Sequence, residues 1–117
     1  MIVLTTPRQF AEFADNTIFR YIDLLTDSKI KSLAHVNKNH DDYLFGILII
    51  CLLHEVKIIF KKRLLNSNAK YLKIKMSMAH GIAFYKTLLS LPVPADNFYF
   101  NHIRNLWIES LDQQIVK

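Results

Sequence analysis

A chain of 117 residues is one domain by size, and 51% hydrophobic against 21% charged side chains excludes a disordered polymer. Two glycines and three prolines leave few tight turns, which argues against a sandwich or barrel. The lone cysteine excludes an intramolecular disulfide and a thiolate zinc site, and the net charge of +5 matters chiefly for where it falls.

The first residues, Met1 to Pro7, lack a basic lead and carry only three apolar side chains after Met1, which is not the pattern of a signal peptide. Thr6-Pro7-Arg8-Gln9 reads as a capping box, with Thr6 at the N-cap, Pro7 at the first helical position and Gln9 at the third. Phe10, Phe13, Ala14, Ile18, Tyr21 and Leu25 follow at helical spacing. Thr26-Asp27-Ser28 is expected to break or bend this first helix, and Asn37 to His40 to form a loop.

A second helix is predicted from Asp41-Asp42 to about Leu65, its acidic start suiting the positive end of the helix dipole. Its apolar run, Tyr43 to Leu53, is about half the ~20 residues that a membrane span needs. The reading is therefore a buried core helix, no membrane contact and a cytoplasmic location. Cys51 lies inside that run and is expected to be a buried, inert thiol.

The front half of this helix is apolar on every side, so something must cover it. The candidates are the segment Met1 to Leu4 or a second subunit. Tyr43, Ile47 and Ile50 are accordingly the predicted homodimer interface, since large apolar patches mark contact surfaces.

After a short Asn66-Ser67-Asn68 turn, a third helix is predicted from Ala69 to Leu91, ended by Pro92-Val93-Pro94. Asp96 or Asn97 caps a fourth helix, with Phe100, Ile103, Leu106, Trp107 and Leu111 facing inward. The expected fold is all-α: a single domain over residues 1–117, a four- to five-helix bundle with an antiparallel helix hairpin in the middle.

Charge is spread unevenly. Residues 56–95 hold Lys57, Lys61, Lys62, Arg63, Lys70, Lys73, Lys75 and Lys86 and no acid. The end of helix two and the start of helix three therefore form a basic hairpin. Lys57, Lys61, Lys62, Arg63, Lys70 and Lys73 supply its charge, and Tyr71 among them could stack on a base. Such a surface suits an acidic protein partner or, alternatively, nucleic acid.

Chemistry has less to stand on. His54, His80 and His102 fall on three different predicted helices, but the Glu-x-x-His and His-Glu-x-x-His spacings of metal bundles are missing, so neither metal nor cofactor is expected. Ser77 and His80 stand three apart and could touch, with no acid expected within reach. Phe98, Tyr99, Phe100 and Trp107 read as core, and Ser77 with Gly81 as a close-packing pair. The reading is a non-enzymatic, self-associating interaction protein with no small-molecule substrate.

Overall fold

The computed structural model describes the backbone of residues 1–34, 40–91 and 97–115, and the side chains of those residues except 28–34 and 40–45. The elements in chain order are β1 (Ile2–Pro7), α1 (Arg8–Phe13), a π-helical turn (Ala14–Ile18), α2 (Phe19–Ala34), α3 (His40–Asn66), β2 (Tyr71–Met76), α4 (Met78–Ser90) and α5 (Phe98–Ile115). The chain is mostly helical, as expected, but it also carries a two-stranded antiparallel sheet that helical periodicity alone did not foresee.

By sequence, β2 falls inside the predicted third helix and β1 takes in only Thr6 and Pro7 from the predicted start of the first, yet both segments follow a period of two. In β2, Leu72, Ile74 and Met76 point inward and Tyr71, Lys73 and Lys75 outward. In β1, Ile2, Leu4 and Thr6 are buried opposite them, in the register Ile2 to Met76, Leu4 to Ile74 and Thr6 to Leu72. The expected third helix therefore starts only at Met78, where the Ser77 hydroxyl accepts the His80 amide and caps α4. The middle of the chain is a helix–strand hairpin, not a helix–helix one.

Thr6 does not cap α1. It is buried within β1, and its Oγ1 accepts the Trp107 indole N–H at 3.0 Å. A buried indole donor must find an acceptor, and this requirement outweighs an N-cap that Pro7 can occupy without a side-chain bond. The expected break at residues 26–28 is absent as well. α2 continues through Thr26, whose hydroxyl bonds back to the Asp23 carbonyl.

The irregularity lies earlier, in the π turn. One extra residue per turn rotates the following face, so Ala11, Ala14 and Ile18 are succeeded in the core by Phe19 and Ile22. Tyr21 and Leu25, predicted inward from an unbroken period, are displaced toward the surface.

The centre of the core is aromatic. Phe19, Phe60, Phe84 and Trp107 are buried, with ring centroids 4.9 to 5.9 Å apart and mostly tilted or edge-on. On α5, Phe100, Ile103, Trp107 and Leu111 are buried as expected, whereas Leu106 is exposed. Phe98 is 80% exposed and Tyr99 half-exposed, so these two are not core. Tyr99 instead meets Phe10 and Phe13 edge-on at the margin.

Of the Ser77–Gly81 pair, Gly81 marks close packing inside the chain, where a Cβ would lie 2.7 Å from Ile2 Cγ1, whereas Ser77 is exposed. β1 thus packs beneath α4.

Asn97 caps α5 by accepting the Phe100 amide at 3.1 Å, whereas Pro92 to Asp96 lie outside the described residues. Tyr85 on α4 donates to Asp112 on α5 at 2.7 Å. The hydrogen bond to Asp112, loss of hydration and the carboxylate charge all raise Tyr85 above its ordinary value of 10.0. A raised folded value favours the protonated form, so this contribution is complete below the unfolded pKa and is lost as pH rises through the higher folded one. Spectrophotometric titration should show Tyr85 ionising late, and Asp112→Asn should return it toward the ordinary tyrosine value.

Candidate interaction surface

α3 ends in three consecutive cations because lysine and arginine suit the negative end of a helix. β2 then returns alongside it with lysines on alternate positions. The result is a groove of about 340 Å³ lined by Ile59, Lys62, Arg63 and Asn66 of α3 and by Lys73, Ile74 and Lys75 of β2. Four cations face this space and no acid lines it. Lys62, Arg63, Lys73 and Lys75 are all exposed, while Ile74 beneath them is buried.

The other predicted cations divide. Lys61 is exposed on α3 but does not line the groove. Lys57 is committed to Asp23 of α2, with Nζ 2.7 Å from Oδ2. Lys70 and the 61%-exposed Tyr71 line a second hollow with Pro7, Arg8, Gln9 and Glu12. Lys75 is the groove cation left out of the predicted set. Its omission follows from reading β2 as a helix, because the strand period places it beside Lys73 and Tyr71.

The turn joining the two banks is held by Arg8. Its guanidinium donates to the Leu64 carbonyl at 2.9 Å and also to the Ser67 carbonyl, while its amide donates to the Lys70 carbonyl at 2.8 Å. One residue thereby fixes the end of α3 against the start of β2. Glu12 orients the guanidinium from 2.8 Å.

The predicted dimer residues lie on the front of α3. Ile47 and Ile50 are half-buried, and Tyr43 falls among residues whose side chains are not described. Ile50 lines an apolar hollow of about 350 Å³ with Ile22, Leu25, Ile49 and Leu53, rimmed by Lys86, Thr87 and Ser90. Leu24 of α2 and Leu48 of α3 are 63% and 54% exposed. Cys51 is exposed as well, contrary to the buried thiol expected. A helix of this length, ~40 Å, runs past the core that encloses Val56 and Phe60, so its apolar front is only partly covered.

The histidines correct one further expectation. An acid does reach the Ser77–His80 pair: Glu55 of α3 lies 2.5 Å from His80 Nε2, while Ser77 Oγ lies 2.6 Å from Nδ1. The order serine–histidine–carboxylate is that of a proton relay. Here, however, Ser77 already caps α4, and Glu55 is exposed, so the three tie α3 to α4 at the surface. His54 and His102 are exposed elsewhere. Among the described residues no group of three or more His, Cys, Asp or Glu side chains could hold a metal ion, and no helix is long and apolar enough to cross a membrane.

No protein-family model, no curated protein and no solved structure matches the chain.

Proposed function

We propose that the protein is a non-enzymatic cytoplasmic interaction module that presents the α3–β2 groove to an acidic protein partner. The observation that carries this reading is the acid-free lining of Lys62, Arg63, Lys73 and Lys75 around an apolar floor of Ile59 and Ile74. Charge on the rim speeds encounter and sets register, while the floor gives an apolar side chain something to bury. Nucleic acid is the second reading, favoured by Tyr71, which stands exposed on the same sheet face as Lys73 and Lys75.

Fluorescence anisotropy with a glutamate-rich peptide and a single-stranded oligonucleotide of equal charge separates the two. The peptide should bind more tightly, and Lys62→Ala/Arg63→Ala/Lys73→Ala/Lys75→Ala should weaken it by about tenfold or more, equivalent to about 1.4 kcal/mol. Tighter binding of the oligonucleotide, with a steep log–log dependence on salt, would instead make the groove a phosphate surface.

Self-association belongs to the same proposal, with the front of α3 as the contact. The exposed Leu24 and Leu48 and the hollow beside Ile50 support it, because exposed apolar surface gains from being covered by a second copy. Sedimentation equilibrium should give a dimer mass, and Leu48→Glu should give a monomer. Cys51 lies one helical turn from Leu48 and should react faster with a thiol reagent in that variant. A monomer at every concentration would sink the dimer.

A further inference from the structure

We infer that the free edge of β2 is a peptide-binding site that takes an extended, alternately acidic and apolar segment of a partner protein as a third strand. This rests on the reading of the groove as a protein-binding surface.

The hydrogen-bond parity of the sheet shows which way the edge groups point. In an antiparallel pair, residues directly opposite each other either exchange both backbone hydrogen bonds or neither. The Val3 amide donates to Gln114 Oε1 and the Val3 carbonyl accepts from Gln114 Nε2, both at 2.9 Å. Gln114 of α5 thus caps the outer edge of β1 at Val3, and Val3 has nothing left for its partner Lys75. At the other end of the ladder the Arg8 amide donates to the Lys70 carbonyl, which is the same alternation five residues on.

The bonded pairs are therefore Ile2–Met76, Leu4–Ile74 and Thr6–Leu72. The backbone groups of Tyr71, Lys73 and Lys75 point away from β1. Pro7, opposite Tyr71, fits this parity because it has no N–H to lose. Among the described residues, none bonds to the N–H or C=O of Lys73 or Lys75.

The two edges of the sheet thus differ: α5 engages that of β1 at Val3, whereas among the described residues the edge groups of Lys73 and Lys75 have no partner and adjoin the basic groove. A strand laid along Tyr71–Lys75 would span ~16 Å, and every second side chain would stand on the face of Lys73 and Lys75. Acidic residues there meet the two lysines, with Lys62 and Arg63 on the opposite bank. The intervening side chains turn toward Ile59 and Ile74. The lysines also exclude a second copy of this edge, since like charges directly across a strand pair repel. The occupant is therefore an acidic strand, and its backbone amides supply affinity that charge alone does not.

The test is anisotropy with a fluorescent Glu-Val-Glu-Val-Glu peptide and two N-methylated versions, one blocked at the Glu amides and one at the Val amides. One blocked peptide should lose at least tenfold in affinity while the other binds as the parent does, because a strand bonds through one edge only. On the protein, Lys73→Pro removes an edge N–H that β1 does not use. It should weaken binding several-fold beyond Lys73→Ala, with circular dichroism showing both variants folded. Parent and both blocked peptides binding equally would overturn the strand pairing and leave the basic groove intact. No binding of any peptide, with tight binding of an oligonucleotide, would overturn the protein-binding reading itself.

Discussion

Phe84→Ala should cost about 3–5 kcal/mol of folding stability, the range for removing a large aromatic from a core that cannot collapse around the gap. Phe84 is fully buried and sits at the meeting point of three elements. Its ring lies 5.8 Å from Phe19 of the α1–α2 helix, 5.7 Å from Phe60 of α3 and 5.9 Å from Trp107 of α5. None of these neighbours can move into the space without leaving its own partners, because Trp107 is also held by Thr6. Phe84→Leu, which keeps most of the volume, should cost about 1.5 kcal/mol or less. Urea unfolding followed by the fluorescence of the single tryptophan checks both, since Trp107 is in the cluster being loosened. Equal midpoints for the alanine variant and the parent would mean that the four rings do not form the centre of the core.

The long helices could be read from residues alone because their signals are redundant. α3 starts and stops within a residue or so of the prediction, from an acidic start, a sustained apolar run and three terminal cations. The inward face of α5 was legible apart from Leu106, Phe98 and Tyr99, which are exposed, and so was its Asn97 cap. The strands were missed for a physical reason. Leucine, lysine and methionine are good helix formers, so the segment Tyr71–Met76 satisfies helical propensity while its alternation specifies a strand. What decides between the two is tertiary: β1 lies opposite in register, and six residues of matching alternation pair with it. The π turn was equally invisible, and the displaced Tyr21 and Leu25 are its direct result.

The same cause limited the reading of the candidate site. Lys62, Arg63 and Lys73 were found from charge alone, and they do line one groove. Lys75 could not join them while β2 was taken for a helix. Lys57 looked free in sequence, and only the fold brings Asp23 of α2 within 2.7 Å of it. The exposure of Cys51 shows the converse. An apolar neighbourhood in sequence is an apolar neighbourhood in space only where another element arrives to cover it.

Arg8→Met should remove about 2 kcal/mol of stability and should also weaken binding in the groove, although Arg8 does not line it. Hydrogen bonds from a charged donor contribute roughly 1.5–3 kcal/mol each when well shielded. Arg8 makes two to carbonyls at the end of α3, but its side chain is about a quarter exposed, so solvent screening brings the pair below that range, to about 2 kcal/mol together. Methionine keeps the aliphatic packing and the backbone bond to Lys70, which isolates the guanidinium. The second effect follows from position. Lys62 and Arg63 stand within two residues of Leu64, and Asn66 adjoins Ser67, so the clamp on those two carbonyls sets the distance between the banks. With the clamp gone, the last turn of α3 frays and the cations must be ordered again on binding, which lowers affinity by about threefold or more. Thermal unfolding and peptide anisotropy on the same variant separate the outcomes. A lower melting temperature with unchanged affinity would mean that α3 is held against β2 by its core side chains alone, and that the groove needs no pre-organisation from Arg8.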